Sequence, residues 1–185
     1  MQVEADCALV VIDVQCGFDD VAHWGGRRSN PACEANVGRL IRAWRDAGRP
    51  VVVVRHDSTE PGSPLEPGAP GNRFKPELGD EEGDVLISKS VNSCFYGTPD
   101  LDGWLRERSI RQLAICGLTT NHCCETTARM GGNLGYDVLF VVDATAAFDR
   151  AAPDGSIVPA EELERATATS LHGEFARVVG TADLV

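Results

Sequence analysis

The sequence predicts an α/β fold: one doubly wound domain spanning residues 1–185, with a mostly parallel six-stranded sheet covered by helices on both faces. Three observations carry this. Short apolar runs and amphipathic stretches alternate from end to end. Several of the runs are continuously apolar rather than alternating, the pattern of strands buried on both faces. Finally, 185 residues suffice for one well-buried core and are too few for two domains.

The first strand is Cys7-Ala8-Leu9-Val10-Val11-Ile12, ending on Asp13. Residues 30–48 read as a surface helix, with Asn30 as N-cap, Pro31 at the first helical position, Val37, Leu40, Ile41 and Trp44 on one stripe, and Gly48 as the stop. Val51-Val52-Val53-Val54 follows as a β-branched strand and completes a βαβ unit. Residues 58–83 then turn to Pro, Gly and acidic side chains, and a loop of this length in a compact domain is read as an ordered flap beside a site.

The third strand, Asp84-Val85-Leu86-Ile87-Ser88-Lys89, again ends on a charge. A helix is expected from a Thr98 cap, with Pro99 at its first position and Leu101, Trp104 and Leu105 inward. Arg111 to Cys116 forms the fourth strand, and a helix of small residues follows Thr120. Residues 137–142 form the fifth strand, with Asp143-Ala144-Thr145 opening a loop. Residues 159–171 make the last long helix, with His172 expected to cap its carbonyls, and residues 175–179 form the sixth strand.

Composition narrows the partners. A net charge of −11, with no clustered Lys and Arg, argues against nucleic acid and anionic membranes. The N-terminus has no basic segment followed by an apolar run, and no apolar run approaches a membrane span, so the expected location is cytoplasmic. Seven cysteines, an odd number in a chain of this size, point to free thiols. His122-Cys123-Cys124 are direct neighbours and lack zinc-ligand spacing, so no metal is expected.

Ligands of such sheets sit beyond the carboxyl ends of the strands. Asp13, Lys89 and Cys123 each fall at or just past such an end. With Thr120 as a helix N-cap, Cys123 would lie in the first turn, where backbone N–H groups and the helix dipole favour a thiolate. Taken singly, the three have ordinary structural readings as turn former, solvated charge and packing thiol. Jointly, a carboxylate, an ammonium and a thiol at one edge are harder to dismiss as structure alone. His122 is not read as a base for Cys123, because adjacent helical residues diverge by about 100°.

These blocks resemble the isochorismatase-like cysteine hydrolases, which include nicotinamidases and N-carbamoylsarcosine amidases. The matching residues are Val11-Ile12-Asp13-Val14-Gln15 with Phe18, Ser88-Lys89-Ser90 followed by Phe95-Tyr96-Gly97-Thr98, and Gly117-Leu118-Thr119-Thr120-Asn121-His122-Cys123 followed by Thr127-Ala128, with Asp143-Ala144-Thr145 further on. The resemblance implies strand order 3-2-1-4-5-6, Cys123 as nucleophile, Asp13 as general base and acid, and Lys89 as the cation holding the pair. It also implies a cis Leu118–Thr119 peptide, an oxyanion hole from the N–H groups of Thr119 and Cys123, and a homo-oligomer. The implied reaction is C–N cleavage of a small amide, carbamoyl compound or lactam through a thioester, without a cofactor.

The chain departs from the nicotinamidases after strand two. Where they carry Asp-x-His and further histidines for a metal, the stretch here is Arg55-His56-Asp57-Ser58, so His56 is read as pocket wall or hydrogen-bonding residue. Phe18, Trp24 with His23, His56, Phe95 and Tyr96 are the expected substrate contacts. The order implied for the sheet sets Lys89 roughly 10 Å from Asp13, two strand spacings away, so its side chain has to lean across the sheet end. Competing readings are a streptothricin-type lactam hydrolase, an isochorismatase-like vinyl-ether hydrolase, and an idle nucleotide-binding or interaction module. The nucleotide reading is opposed by the absence of Gly-x-Gly-x-x-Gly after the first strand.

Overall fold

The computed structural model describes residues 3–79 and 83–185. In chain order the strands are β1 (Ala8–Ile12), β2 (Val51–His56), β3 (Val85–Lys89), β4 (Gln112–Leu118), β5 (Asp137–Ala146), β6 (Arg150–Ala151), β7 (Ile157–Val158) and β8 (Arg177–Val179). The helices are α1 (Val21–Trp24), α2 (Cys33–Asp46), α3 (Leu101–Glu107), α4 (Glu125–Asn133) and α5 (Ala160–Leu171). Six strands form one parallel sheet in the order 3-2-1-4-5-8. This is the expected doubly wound sheet; a two-stranded ribbon, β6–β7, intervenes before the last strand and was not foreseen.

Alternate residues of the central strands feed two cores. Leu9 and Val11 pack with Val37, Leu40, Ile41 and Trp44 of α2 on one face. Ala8, Val10 and Ile12 pack with Leu101, Leu105, Ala128 and Leu171 of α3, α4 and α5 on the other. Every residue of β1 and β4 is buried, which is why their sequences show no polar alternation. No helix among the described residues is long and apolar enough to cross a membrane, and all seven cysteines are free thiols.

Several element ends differ from expectation. Asn30 does not cap α2: it takes a positive φ of 41°, and its amide donates to the carbonyls of Asp143 and Thr145 while Ala32 begins the helix. The Thr98–Pro99 peptide is cis, and α3 starts later than expected, with the Asp100 carboxylate accepting from Asp102 and Gly103 N–H. Asp143-Ala144-Thr145 stays within β5 beyond a register irregularity opposite Ile115 and Gly117. His172 Nδ1 accepts from Val178 N–H rather than donating to helix carbonyls.

The flap is held by its own anchors; residues 80–82 lie outside the described residues. Lys75 N–H donates to Val14 carbonyl and Cys16 N–H to Arg73 carbonyl, stringing the flap to the segment after β1. Lys75 Nζ also reaches Glu34 of α2 at 2.8 Å. Burial disfavours the Glu34 charge, but hydrogen bonds from Arg28 and Lys75 outweigh it and hold the carboxyl at about 2. A carboxyl depressed in the folded state contributes stability above its unfolded pKa, near 4.5, and loses it as pH falls toward 2. Glu34→Gln is therefore expected to be less stable than the native protein at pH 6 by urea titration, with the gap narrowing between pH 4.5 and pH 2.

Gly117 shows how tightly β4 approaches β1. Its φ is +116°, and a Cβ there would stand 2.0 Å from Ile12 carbonyl oxygen. Gly117→Ala combines a strained backbone with backbone overlap and is expected to cost roughly 2–4 kcal/mol in equilibrium unfolding. It would also displace Asp13, which follows Ile12 in the chain.

Candidate functional site

Three loops at the carboxyl end of the sheet bring the expected residues together. Asp13 follows β1 with a φ of +51°, a left-handed conformation that aspartate tolerates better than most side chains. Its N–H donates to Val54 carbonyl and its own carbonyl accepts from Gln15 N–H, so the turn is fixed on both sides. Lys89 ends β3 opposite His56 of β2. From there its side chain leans across β2, as the strand order implied by the resemblance requires, and Nζ reaches Asp13 Oδ2 at 2.6 Å with both side chains fully buried.

Cys123 lies in a π-helical turn, Thr120–Cys124, that leads into α4. Thr120 is not the expected side-chain cap: its hydroxyl donates to Thr145 Oγ1, and Thr119 carbonyl takes the N–H groups of His122 and Cys124. The Leu118–Thr119 peptide is cis. Cys123 Sγ accepts from Lys89 Nζ at 3.3 Å and faces Asn92 Oδ1 at 3.6 Å.

The electrostatics follow from burial. Desolvation opposes the charge on Lys89, yet the Asp13 carboxylate and Cys123 beside it push its pKa above the ordinary lysine value. Burial, and then Asp13, push the Cys123 thiol well up, with Lys89 only partly opposing. The resting state is a neutral thiol next to a carboxylate–ammonium pair. Asp13 Oδ1 has no hydrogen-bond partner among the described residues, leaving one buried lone-pair edge open on the carboxylate.

Asp13, His56 and Cys123 could in principle surround a metal ion, since their ligand atoms lie within 4.8 Å of one another. The donor set fits an ammonium instead. Lys89 Nζ is already within 2.6 Å of Asp13 Oδ2, 3.0 Å of His56 Nδ1 and 3.3 Å of Cys123 Sγ, so it occupies the position a cation would take. Asp57, in the stretch where nicotinamidases place a metal ligand, has its carboxylate taken by the Ser88 hydroxyl, Asn72 Nδ2 and Arg55 Nε.

The trio opens on a cleft of about 260 Å³. Phe18, His23 and Trp24 line it as expected, with the Phe18 and Trp24 rings 4.7 Å apart, and His56 and Thr119 line it too. Phe95 and Tyr96 are placed elsewhere: the Phe95 ring stacks on Tyr136 and Tyr96 is 71% exposed, neither lining the cleft. An aromatic following a strand can pack to either side, and here the Tyr136 ring captures it. Sequence reasoning missed Asn92, His122 and the flap residues Ser58, Thr59, Glu60, Ser63 and Leu65. Only the flap's length and composition hinted at the last group. His122 reaches the cleft wall, while the thiol's hydrogen-bonding neighbours are Lys89 and Asn92.

Known proteins share this fold. An isochorismatase domain model matches residues 7–181. A solved isochorismatase-family structure from Chromobacterium violaceum superposes with a TM-score of 0.92 at 38% identity, covering 99% of this chain and 93% of that one. A cysteine hydrolase from Pseudomonas syringae pv. phaseolicola superposes with a TM-score of 0.87 at 27% identity, covering 100% of this chain and 93% of that one. The ureidoacrylate amidohydrolase RutB of Klebsiella pneumoniae is 30% identical over 172 residues, 75% of this chain and 72% of its own length. Fold and relatives together define a hydrolase built on a doubly wound parallel sheet. The chain belongs to the isochorismatase family.

Proposed function

We propose that the protein is a cysteine hydrolase that cleaves a C–N bond in a small amide, carbamoyl compound or lactam through a thioester, without a metal. The observation that carries this reading is the open Oδ1 edge of Asp13 beside a neutral thiol, with Lys89 bonded to both partners.

In the first half-reaction Asp13 takes the Cys123 proton as sulfur attacks the carbonyl carbon, and the carbonyl π electrons move to oxygen. Lys89 holds the negative charge that passes from carboxylate to sulfur. The N–H groups of Thr119 and Cys123 receive the oxyanion; the first N–H groups of a helical segment lack intrahelical partners. Collapse breaks the C–N bond, and the nitrogen leaves with the proton from Asp13. In the second half-reaction water loses a proton to Asp13 and attacks the thioester. The sulfur departs and recovers that proton, leaving a carboxylic or carbamic acid.

A panel of primary amides, ureas and lactams, assayed for released ammonia, amine or ring-opened product, tests the reading. At least one class should turn over, and Asp13→Asn should slow it by roughly 10^2–10^4. Turnover that survives Asp13→Asn would contradict it. Iodoacetamide provides a substrate-free check: Cys123 lines the cleft while Cys7, Cys33, Cys94, Cys116 and Cys124 are fully buried. Mass spectrometry should therefore show Cys123 alkylated ahead of those five.

A further inference from the structure

The second imidazole nitrogen of His56 is unassigned by the reaction above. An ammonium has three protons and no lone pair. On Lys89 they go to Asp13 Oδ2, His56 Nδ1 and Cys123 Sγ, at 2.6, 3.0 and 3.3 Å. Nδ1 must therefore accept, and a neutral imidazole that accepts at Nδ1 carries its proton at Nε2. Burial and the adjacent ammonium both hold this ring neutral.

The residue is also fixed in place. Gln15, fully buried, accepts from His56 N–H at 2.8 Å and donates to His56 carbonyl at 3.1 Å, and Asn72 Nδ2 reaches the same carbonyl at 3.1 Å. Nε2 has no hydrogen-bond partner among the described residues, and His56 lines the cleft. Besides the N–H groups assigned to the oxyanion, the cleft therefore presents the Nε2–H donor of a fixed His56. Around it, the charged side chains lining the cleft among the described residues are two carboxylates, Asp13 and Glu60. The Lys89 ammonium offsets Asp13, so the uncompensated charge on the cleft wall is that of Glu60, and it disfavours an anionic acceptor at that donor.

We propose that His56 is a specificity-determining residue whose Nε2–H binds an uncharged hydrogen-bond acceptor of the substrate, so that the preferred substrates are neutral amides carrying a second acceptor, such as another carbonyl or a ring nitrogen. The proposal rests on the hydrolase reading and names the substrate class for the same cleft.

The test compares three size-matched sets of amides on the intact protein: aliphatic primary amides, neutral diamides and pyridine carboxamides, and amides bearing a carboxylate. Wild-type kcat/KM should favour the neutral acceptor-bearing set by about tenfold, the value of one well-placed hydrogen bond. His56→Ala should reduce that preference to near unity, mainly through KM, and His56→Gln, which restores an N–H donor, should recover part of it. A role confined to supporting Lys89 would slow all sets by the same factor and overturn the proposal. So would a preference for the carboxylate-bearing set, which would assign recognition to Arg150 in the adjoining crevice beside His122. Long-range 1H–15N NMR of the imidazole gives an answer without substrate: protonation at Nε2 is expected, and a proton on Nδ1 would overturn it. Failure of the wild type to hydrolyse any amide would instead bring down the hydrolase reading, and this proposal with it.

Discussion

Cys123→Ala should lower kcat/KM on any accepted amide by roughly 10^4–10^6, the scale seen when a covalent nucleophile is removed from a cooperative constellation. The fold should survive. Cys123 is small, 7% exposed and at the cleft wall, so truncation leaves little unfilled volume, and the expected change in unfolding free energy is within about 1 kcal/mol. Cys123→Ser separates chemistry from shape, because a hydroxyl keeps the geometry but is much harder to deprotonate than a thiol. It should be nearly as inactive as the alanine variant. A serine variant with appreciable turnover would mean that the sulfur is not the attacking atom.

The second large effect concerns Lys89, where stability and activity should fall together. Lys89→Met removes the cation from a fully buried pair and leaves the Asp13 carboxylate uncompensated. Breaking such a pair from one side costs about 3–5 kcal/mol. For a domain of this size that corresponds to a melting temperature lower by roughly 10 °C. The double variant Asp13→Asn, Lys89→Met replaces the charges with neutral groups of similar volume and should regain most of the lost stability. It should regain none of the activity, which distinguishes an electrostatic role from packing. Additive stability losses in the cycle would show that the two side chains do not act as a unit.

The sheet was legible because its physics is local. Continuous apolar runs such as residues 8–12 and the four valines from Val51 can be satisfied only by burial on both faces, and their carboxyl ends fix where Asp13 and Lys89 emerge. The reach of Lys89 across β2 follows from strand spacing and side-chain length once the strand order implied by the family resemblance is adopted. The helix entrances were harder to read. Asn30 and Thr120 are good capping residues by composition, yet tertiary partners claim them, Asn30 through β5 carbonyls and Thr120 through the Thr145 hydroxyl. The cleft wall was legible only in part. Phe18 and Trp24 follow β1 closely in sequence, whereas Ser58, Ser63 and Leu65 reach the cleft because Asn72, Lys75 and Gln15 anchor the flap far from its ends. No local pattern encodes such anchoring.

The central claim is that the Cys123 sulfur carries the acyl group, and acid quenching during turnover followed by intact-mass and peptide mapping addresses it directly. With an amide that is hydrolysed, the account predicts a transient species heavier by the acyl group, with the modification on the peptide containing Cys123. An unmodified protein at every quench time from a reaction with single-turnover sensitivity, or an acyl group located on any other residue, would contradict it.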